Sequence, residues 1–134
     1  MPTARHDGER AHAAIAPWIL VPSAADALAF YTDAFGVVDI ERHGDPDREL
    51  QVAQLWIGGA DFWIQTDPDT THGARADPPV RMILSVDDPD AVFARAVAAG
   101  ALVVNPIYEG HGWRIGRVVD PFGHHWEIGR PLDA

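Results

Sequence analysis

Cysteine is missing from all 134 residues. That excludes disulfides, thiol nucleophiles and thiolate metal sites. Any metal must then be held by His, Asp or Glu. A chain without cysteine fits the reducing cytoplasm, which is the expected location. No apolar run approaches the roughly 18 residues a membrane span needs, so no membrane partner is expected. The first residues, MPTARHDGERAHAA, carry charge but no apolar stretch, so no signal peptide is read. Basic residues are scarce: 10 Lys and Arg stand against 20 Asp and Glu, a formal net charge of −10. Such a chain repels phosphate backbones, which argues against nucleic acid as a partner. Its acidity suits solubility, and it also favours a cationic ligand. A nucleophile elbow, a phosphate loop and a dinucleotide fingerprint are absent as well.

What is present is a repeated pattern. Residues 1–13 are polar and Ala-rich and read as a loose arm. IAPWILV (15–21) reads as a buried strand. SAADALAFYTDAFG (23–36) reads as a helix capped by Ser23 and closed by Gly36. A short strand follows over 37–43, then a hairpin over 50–58 and 60–66 around Gly58-Gly59. Residues 67–79, DPDTTHGARADPP, have the composition of a linker. The pattern then restarts: a strand over 80–86, a helix over 88–100, a strand over 101–106, and a last pair over 112–120 and 124–129. Asp26-Ala27 aligns with Asp90-Ala91 and Gly36 with Gly100, both 64 residues on. The same offset places Gly59 on Gly123, Phe62 on Trp126, Trp63 on Glu127 and Ile64 on Ile128. One offset held through a helix and a final strand indicates duplication. The fold class expected is α+β, with two tandem βαβββ modules over 14–66 and 80–130.

A repeated βαβββ unit that ends in DPFGH-x-W-E resembles the vicinal oxygen chelate superfamily of glyoxalases, extradiol dioxygenases, and fosfomycin- and bleomycin-resistance proteins. The resemblance runs over about residues 14–130. It is carried by LVPSAADALAFYTDAFG, ILSVDDPDAVFARAVAAGA and GRVVDPFGHHWEI. These stretches look most like the single-chain, PhnB-like branch. The resemblance implies curved mixed sheets that form a cleft. It also implies up to four metal-ligand positions, at the start of the first strand and the middle of the fourth in each module. Here they hold Ala16, Trp63, Arg81 and Glu127. Members commonly pair, so a homodimer is expected.

Only Glu127 of these four can ligate a metal, because a guanidinium stays charged and offers no lone pair. Arg81 is therefore expected to pair with Glu127 across the cleft. Strand alternation puts His125 and Glu127 on the cleft face, with His124 and Trp126 on the outer one. His124 is expected to close the turn and pack outside, and Trp126 to lie under a helix beside Phe62. Alternation also lines the cleft with Ala16, Trp18 and Leu20, with Asp61, Trp63 and Gln65, with Arg81, Ile83 and Ser85, and with Trp113 or Arg114. Trp56 reads equally as core or cleft.

Two functions follow. The first is a metal-independent binding protein that holds a planar or cationic small molecule through Trp18, Trp63, Arg81, Trp113 and Glu127, as the resemblance to bleomycin-resistance proteins implies; antibiotic sequestration would be its role. No cofactor is expected on this reading. The alternative is a glyoxalase-type lyase, isomerase or dioxygenase with a divalent metal on Glu127 and His125. Asp61 and His125 are the candidate acid–base groups, with Arg81 available to hold an oxyanion if the chemistry runs without metal.

Overall fold

The computed structural model describes residues 13–70 and 78–133. The first module runs β1 (Trp18–Val21), α1 (Ala24–Phe35), β2 (Asp39–His43), β3 (Val52–Ile57) and β4 (Ala60–Thr66). The second runs β5 (Met82–Ser85), α2 (Pro89–Ala99), β6 (Leu102–Gly110), β7 (Trp113–Val119) and β8 (His125–Pro131). Each builds one four-stranded sheet, in the order β1-β4-β3-β2 or β5-β8-β7-β6. In both, the first and fourth strands pair parallel and the rest antiparallel. The α+β duplication expected from sequence is the fold. Most of the expected N-terminal arm (residues 1–12) and the middle of the linker (71–77) lie outside the described residues.

Both helices begin and end where their residues direct. Ser23 Oγ accepts the Asp26 backbone N–H at 3.2 Å, and Asp88 Oδ1 accepts that of Ala91 at 3.2 Å. These caps satisfy donors that the first helical turn leaves open. Pro89 then opens α2, where a missing N–H costs nothing. Gly36 closes α1 at φ 70°, in the left-handed region that favours glycine.

Several strand limits differ from expectation, three of them in ways that bear on the site or the sheet edge. The first strand starts at Trp18, not Ile15, because Pro17 has no N–H to give a ladder and offers only its carbonyl, which accepts from Trp63 at 2.8 Å. Ala16 therefore sits ahead of the strand. The fifth strand is likewise shorter, Met82–Ser85, so Arg81 precedes it. The sixth is longer and runs through Pro106 to Gly110. Its pairing with β7 shifts register between Val103 and Asn105 and again before Tyr108, and these irregularities let an edge strand carry a proline.

Both helices pack on one side of the sheets and against each other. Ile19, Val21, Ala53, Leu55, Phe62 and Ile64 of the first sheet, and Leu84, Val118, Trp126 and Ile128 of the second, are buried beneath them. An aromatic cluster joins the modules: Tyr31 and Phe35 of α1 lie 5.5 and 4.7 Å from Trp126, and Phe62 lies 5.3 Å from it. Trp126 thus sits where alternation placed it. Beyond their buried area, such ring pairs contribute about 0.5–1.5 kcal/mol each.

Inside this cluster lies a buried carboxylate. Asp120 opens the turn between β7 and β8. Its Oδ2 accepts the Tyr31 hydroxyl of α1 and the Trp126 Nε1–H, the latter at 2.9 Å. Its Oδ1 accepts the backbone N–H groups of Phe122 and His124, both at 2.9 Å. Four donors offset the cost of burying the charge. Burial, and then the neighbouring Asp120, raise the Tyr31 phenol pKa well above its ordinary value. His124 closes the turn as expected, but its ring does more than pack outside. Its Nε2 lies 2.8 Å from the Leu20 carbonyl oxygen, and a carbonyl only accepts, so the ring donates and ties the second module to β1.

Candidate functional site

With the helices on one side, the alternate residues of each strand face the other. In β1 and β4 these are Trp18, Leu20, Asp61, Trp63 and Gln65, as alternation required. Trp18 and Trp63 pair in register and stack, with ring centroids 5.4 Å apart and planes 12° apart. Trp18 is 52% exposed, and its Nε1–H donates to Gln65 Oε1 at 2.9 Å, which fixes the indole's orientation. The His43 ring adds a third layer, 5.1 Å from Trp63. Two acidic groups flank the stack. Asp61 accepts from Gln54 Nε2 at 2.9 Å, and Glu41 lies in register with Gln54 and 3.6 Å from His43 Nε2. Trp56, ambiguous in the sequence, pairs with Asp61 and so belongs to this open face.

In the second module the same face carries Arg81, Ile83, Glu127, Ile115 and Arg117. Arg81 and Glu127 form the ion pair expected of them, through Nε and Oε2, with the Glu127 side chain only 21% exposed. Ile83 pairs in register with Glu127, just as Trp18 pairs with Trp63 in the first module. A pocket of about 480 Å³ lies at the seam between the modules, reaching from these faces to Phe62, Leu84 and Trp126 on the helix side. Asp61 and Arg81 supply its polar groups, and Ile15, Ala16, Pro17, Ile57, Met82 and Ile83 supply much of its apolar wall.

The remaining candidates stand apart. His125 shares Glu127's side of the strand but is 2% exposed. A general acid or base needs a proton within hydrogen-bond reach, so this burial counts against an open acid–base role. Trp113 is half-buried at the far end of β7, opposite Pro131. Four residues separate it from Arg117, about 13 Å along the strand. Arg114 turns to the helix side and grips Asp90 of α2 through Nε at 2.7 Å and Nη2 at 2.6 Å. That grip holds the Asp90 carboxyl below its ordinary pKa and lifts the guanidinium's own.

Sequence reasoning missed Asp120 and Arg117. DPFGH drew attention to its histidines, although its aspartate carries the network. Arg117 was hidden because apolar residues occupy both faces of β7, so its parity could not be fixed without the pairing to β8.

Fold and face together define a glyoxalase-like domain: two fused βαβββ modules with helices on one side and an open, chemically mixed surface on the other. The family model for the glyoxalase-like domain matches residues 18–129, and the chain belongs to that family. It is 41% identical over 128 residues to the uncharacterised protein Rv0887c of Mycobacterium tuberculosis, an alignment that covers 89% of this chain and 75% of that one. Among solved structures it is similar to TioX from Micromonospora sp. ML1, at 26% identity and a TM-score of 0.68, over 89% of this chain and all of that one. It also shares its fold with a variant of the fosfomycin resistance protein FosX from Listeria monocytogenes, solved with Mn(II) and 1S,2S-dihydroxypropylphosphonic acid. There the identity is 16% and the TM-score 0.71, over 92% and 95% of the two chains.

A divalent metal is plausible in this fold, so its fit can be tested on the residues present. Among the described residues no three His, Asp or Glu side chains gather as a metal would require. At the four positions the resemblance points to, Ala16 and Trp63 offer no ligand, and Arg81 occupies the carboxylate of Glu127. A fixed positive charge there opposes a cation. These residues do not fit a metal.

Proposed function

We propose that this protein is a metal-independent small-molecule binding protein, and that its open face takes a planar, positively charged ring system against Trp18 and Trp63. Sequestration of a toxic compound such as an antibiotic is the role this reading supports. The observation that carries it is the exposed tryptophan stack flanked by Asp61 and Glu41, beside an Arg81–Glu127 pair where relatives would place a metal. A flat cation gains stacking and cation–π contact on an indole, and the carboxylates attract its charge. The pocket at the module seam gives such a ligand a concave, mostly apolar edge. A homodimer fits the same picture, since Trp18, Leu20, Ile83 and Tyr108 leave apolar surface exposed on this side.

Calorimetric titration with proflavine, a planar cation, tests the reading. Saturable binding is expected, weakened about tenfold by Trp18→Ala, with less than a few degrees of change in Tm because the side chain is already half exposed. No saturable heat, or binding indifferent to both Trp18→Ala and Trp63→Ala, would sink it. The metal-dependent alternative keeps only Glu127 in its favour.

A further inference from the structure

Arg117 has no role in anything described so far. It stands in register between Asn105 of β6 and Glu127 of β8, on the open side of the second sheet. Among the described residues its buried Nε has no hydrogen-bond partner and its guanidinium forms no ion pair. A buried donor left unmet costs about 1–3 kcal/mol, so its persistence calls for an explanation.

The duplication sharpens the point. Gln54 stands opposite Trp63 as Arg117 stands opposite Glu127, so the two are counterparts. Gln54 satisfies its amide on Asp61. The counterpart of Asp61 is His125, which is no carboxylate. Glu127 could have served Arg117, but its carboxylate is turned to Arg81. Two guanidiniums thus lie beside a single carboxylate that pairs with Arg81 alone, and this part of the face carries an excess positive charge on a chain whose net charge is −10.

We infer that Arg117 is the docking point for an oxyanion carried by the ligand, a carboxylate or a phosphate ester. The planar fork of a guanidinium suits two oxygens of one such group. Glu127 and Arg81 are already neutralised by each other, and Arg117 is the cation left to meet the ligand. Ile83 lies next to Glu127 on one side and lines the seam pocket, while Arg117 lies next to Glu127 on the other. Two strand spacings, about 10 Å, therefore separate the oxyanion from the pocket. A ligand with a flat ring system, cationic or neutral, and a terminal oxyanion spans that distance. This inference rests on the open face being a small-molecule site.

The test compares 2-naphthoate, 2-naphthyl phosphate and neutral 2-naphthamide by calorimetry, with proflavine as a fourth probe. The chain's overall acidity works against the anions, so any preference for them requires a local cation. At least one anion is expected to bind about tenfold tighter than the amide, and which one separates carboxylate from phosphate ester. Arg117→Gln should erase the preference and leave amide binding within about twofold; Arg117→Lys should keep part of it. Should the glutamine variant fail to fold, the lysine variant alone decides, since a lost fork must cost some of the preference. Equal binding of amide and anions, or a preference that survives at Arg117→Gln, overturns the inference while proflavine binding keeps the small-molecule reading intact. Silence from all four probes overturns both.

Discussion

Across β1 and β4, Trp18 faces Trp63. At the matching register of β5 and β8, Ile83 faces Glu127, with Arg81 closing over the carboxylate. One ancestral pair of positions has thus become an aromatic stack in one module and an ion pair beside an aliphatic side chain in the other. The hairpin tips differ too. The first, Ile57-Gly58-Gly59-Ala60, is tight and bears no charge. The second, Asp120 to His124, is longer and places a carboxylate into the core and a histidine onto the opposite module. Duplication supplied the scaffold twice, and divergence gave one half an exposed aromatic stack and the other the polar contacts that fasten the halves together.

The comparison can be broken at its most costly point by Asp120→Ala. Tyr31, Trp126 and two backbone N–H groups would lose their acceptor together, and a stability loss of about 3–5 kcal/mol is expected. A drop in Tm of roughly 10 °C or more by calorimetry would agree; a drop of only a degree or two would show that the modules hold together without the carboxylate. Tyr31→Phe removes one donor and leaves three, so about 1–2 kcal/mol should be lost at neutral pH. Its alkaline behaviour separates it from a simple packing change. The folded phenol holds its proton more tightly than the unfolded one, so its contribution is complete below about pH 10 and is lost as pH rises above that. The phenylalanine variant should lack that alkaline loss in thermal melts taken between pH 9 and 12.

Arg81→Ala sharpens the comparison, because the first module already has alanine, Ala16, at the equivalent place. Arg81 is 44% exposed, which discounts the pair to about 1 kcal/mol, visible as a few degrees in Tm. Adding Glu127→Gln should restore part of this loss, since the orphaned charge goes with it. Additive losses would show that the two residues act separately. A weaker effect is expected at Asp90, which Arg114 grips on the helix side. Its folded carboxyl sits below the ordinary value, so its contribution is present above about pH 4 and fades as pH falls through the folded value. Asp90→Asn should lower stability slightly at neutral pH, flatten the acid limb in that window, and make little difference once pH lies below the folded value. The smallest expected effect is none: Mn(II), Zn(II) or Ni(II) should give no saturable rise in Tm. A clear rise would mean that Glu127 leaves Arg81 for a metal, and the contrast between the modules would then be a switch.

The repeat, the helix caps and the buried face of most strands were legible because each depends on local chemistry. Ser23 and Asp88 cap from one turn away, glycines close both helices, and period-two alternation sorted Ile19, Ile64, Leu84 and Ile128 from Trp18, Trp63 and Ile83. The Arg81–Glu127 pair was legible too, since a duplicated chain carries an internal alignment that brings distant positions together. Other features needed the third dimension. His125 shares the parity of Glu127, yet packing buries it. Tyr31 and Asp120 are 89 residues apart, and only the docking of α1 against β8 lets them meet. Arg117 became a charge with no ion-pair partner among the described residues only once Glu127 had turned to Arg81. Local propensity and periodicity act over a few residues and so are written along the chain, whereas a side chain's partners are set by which faces pack, and that is decided by the fold as a whole.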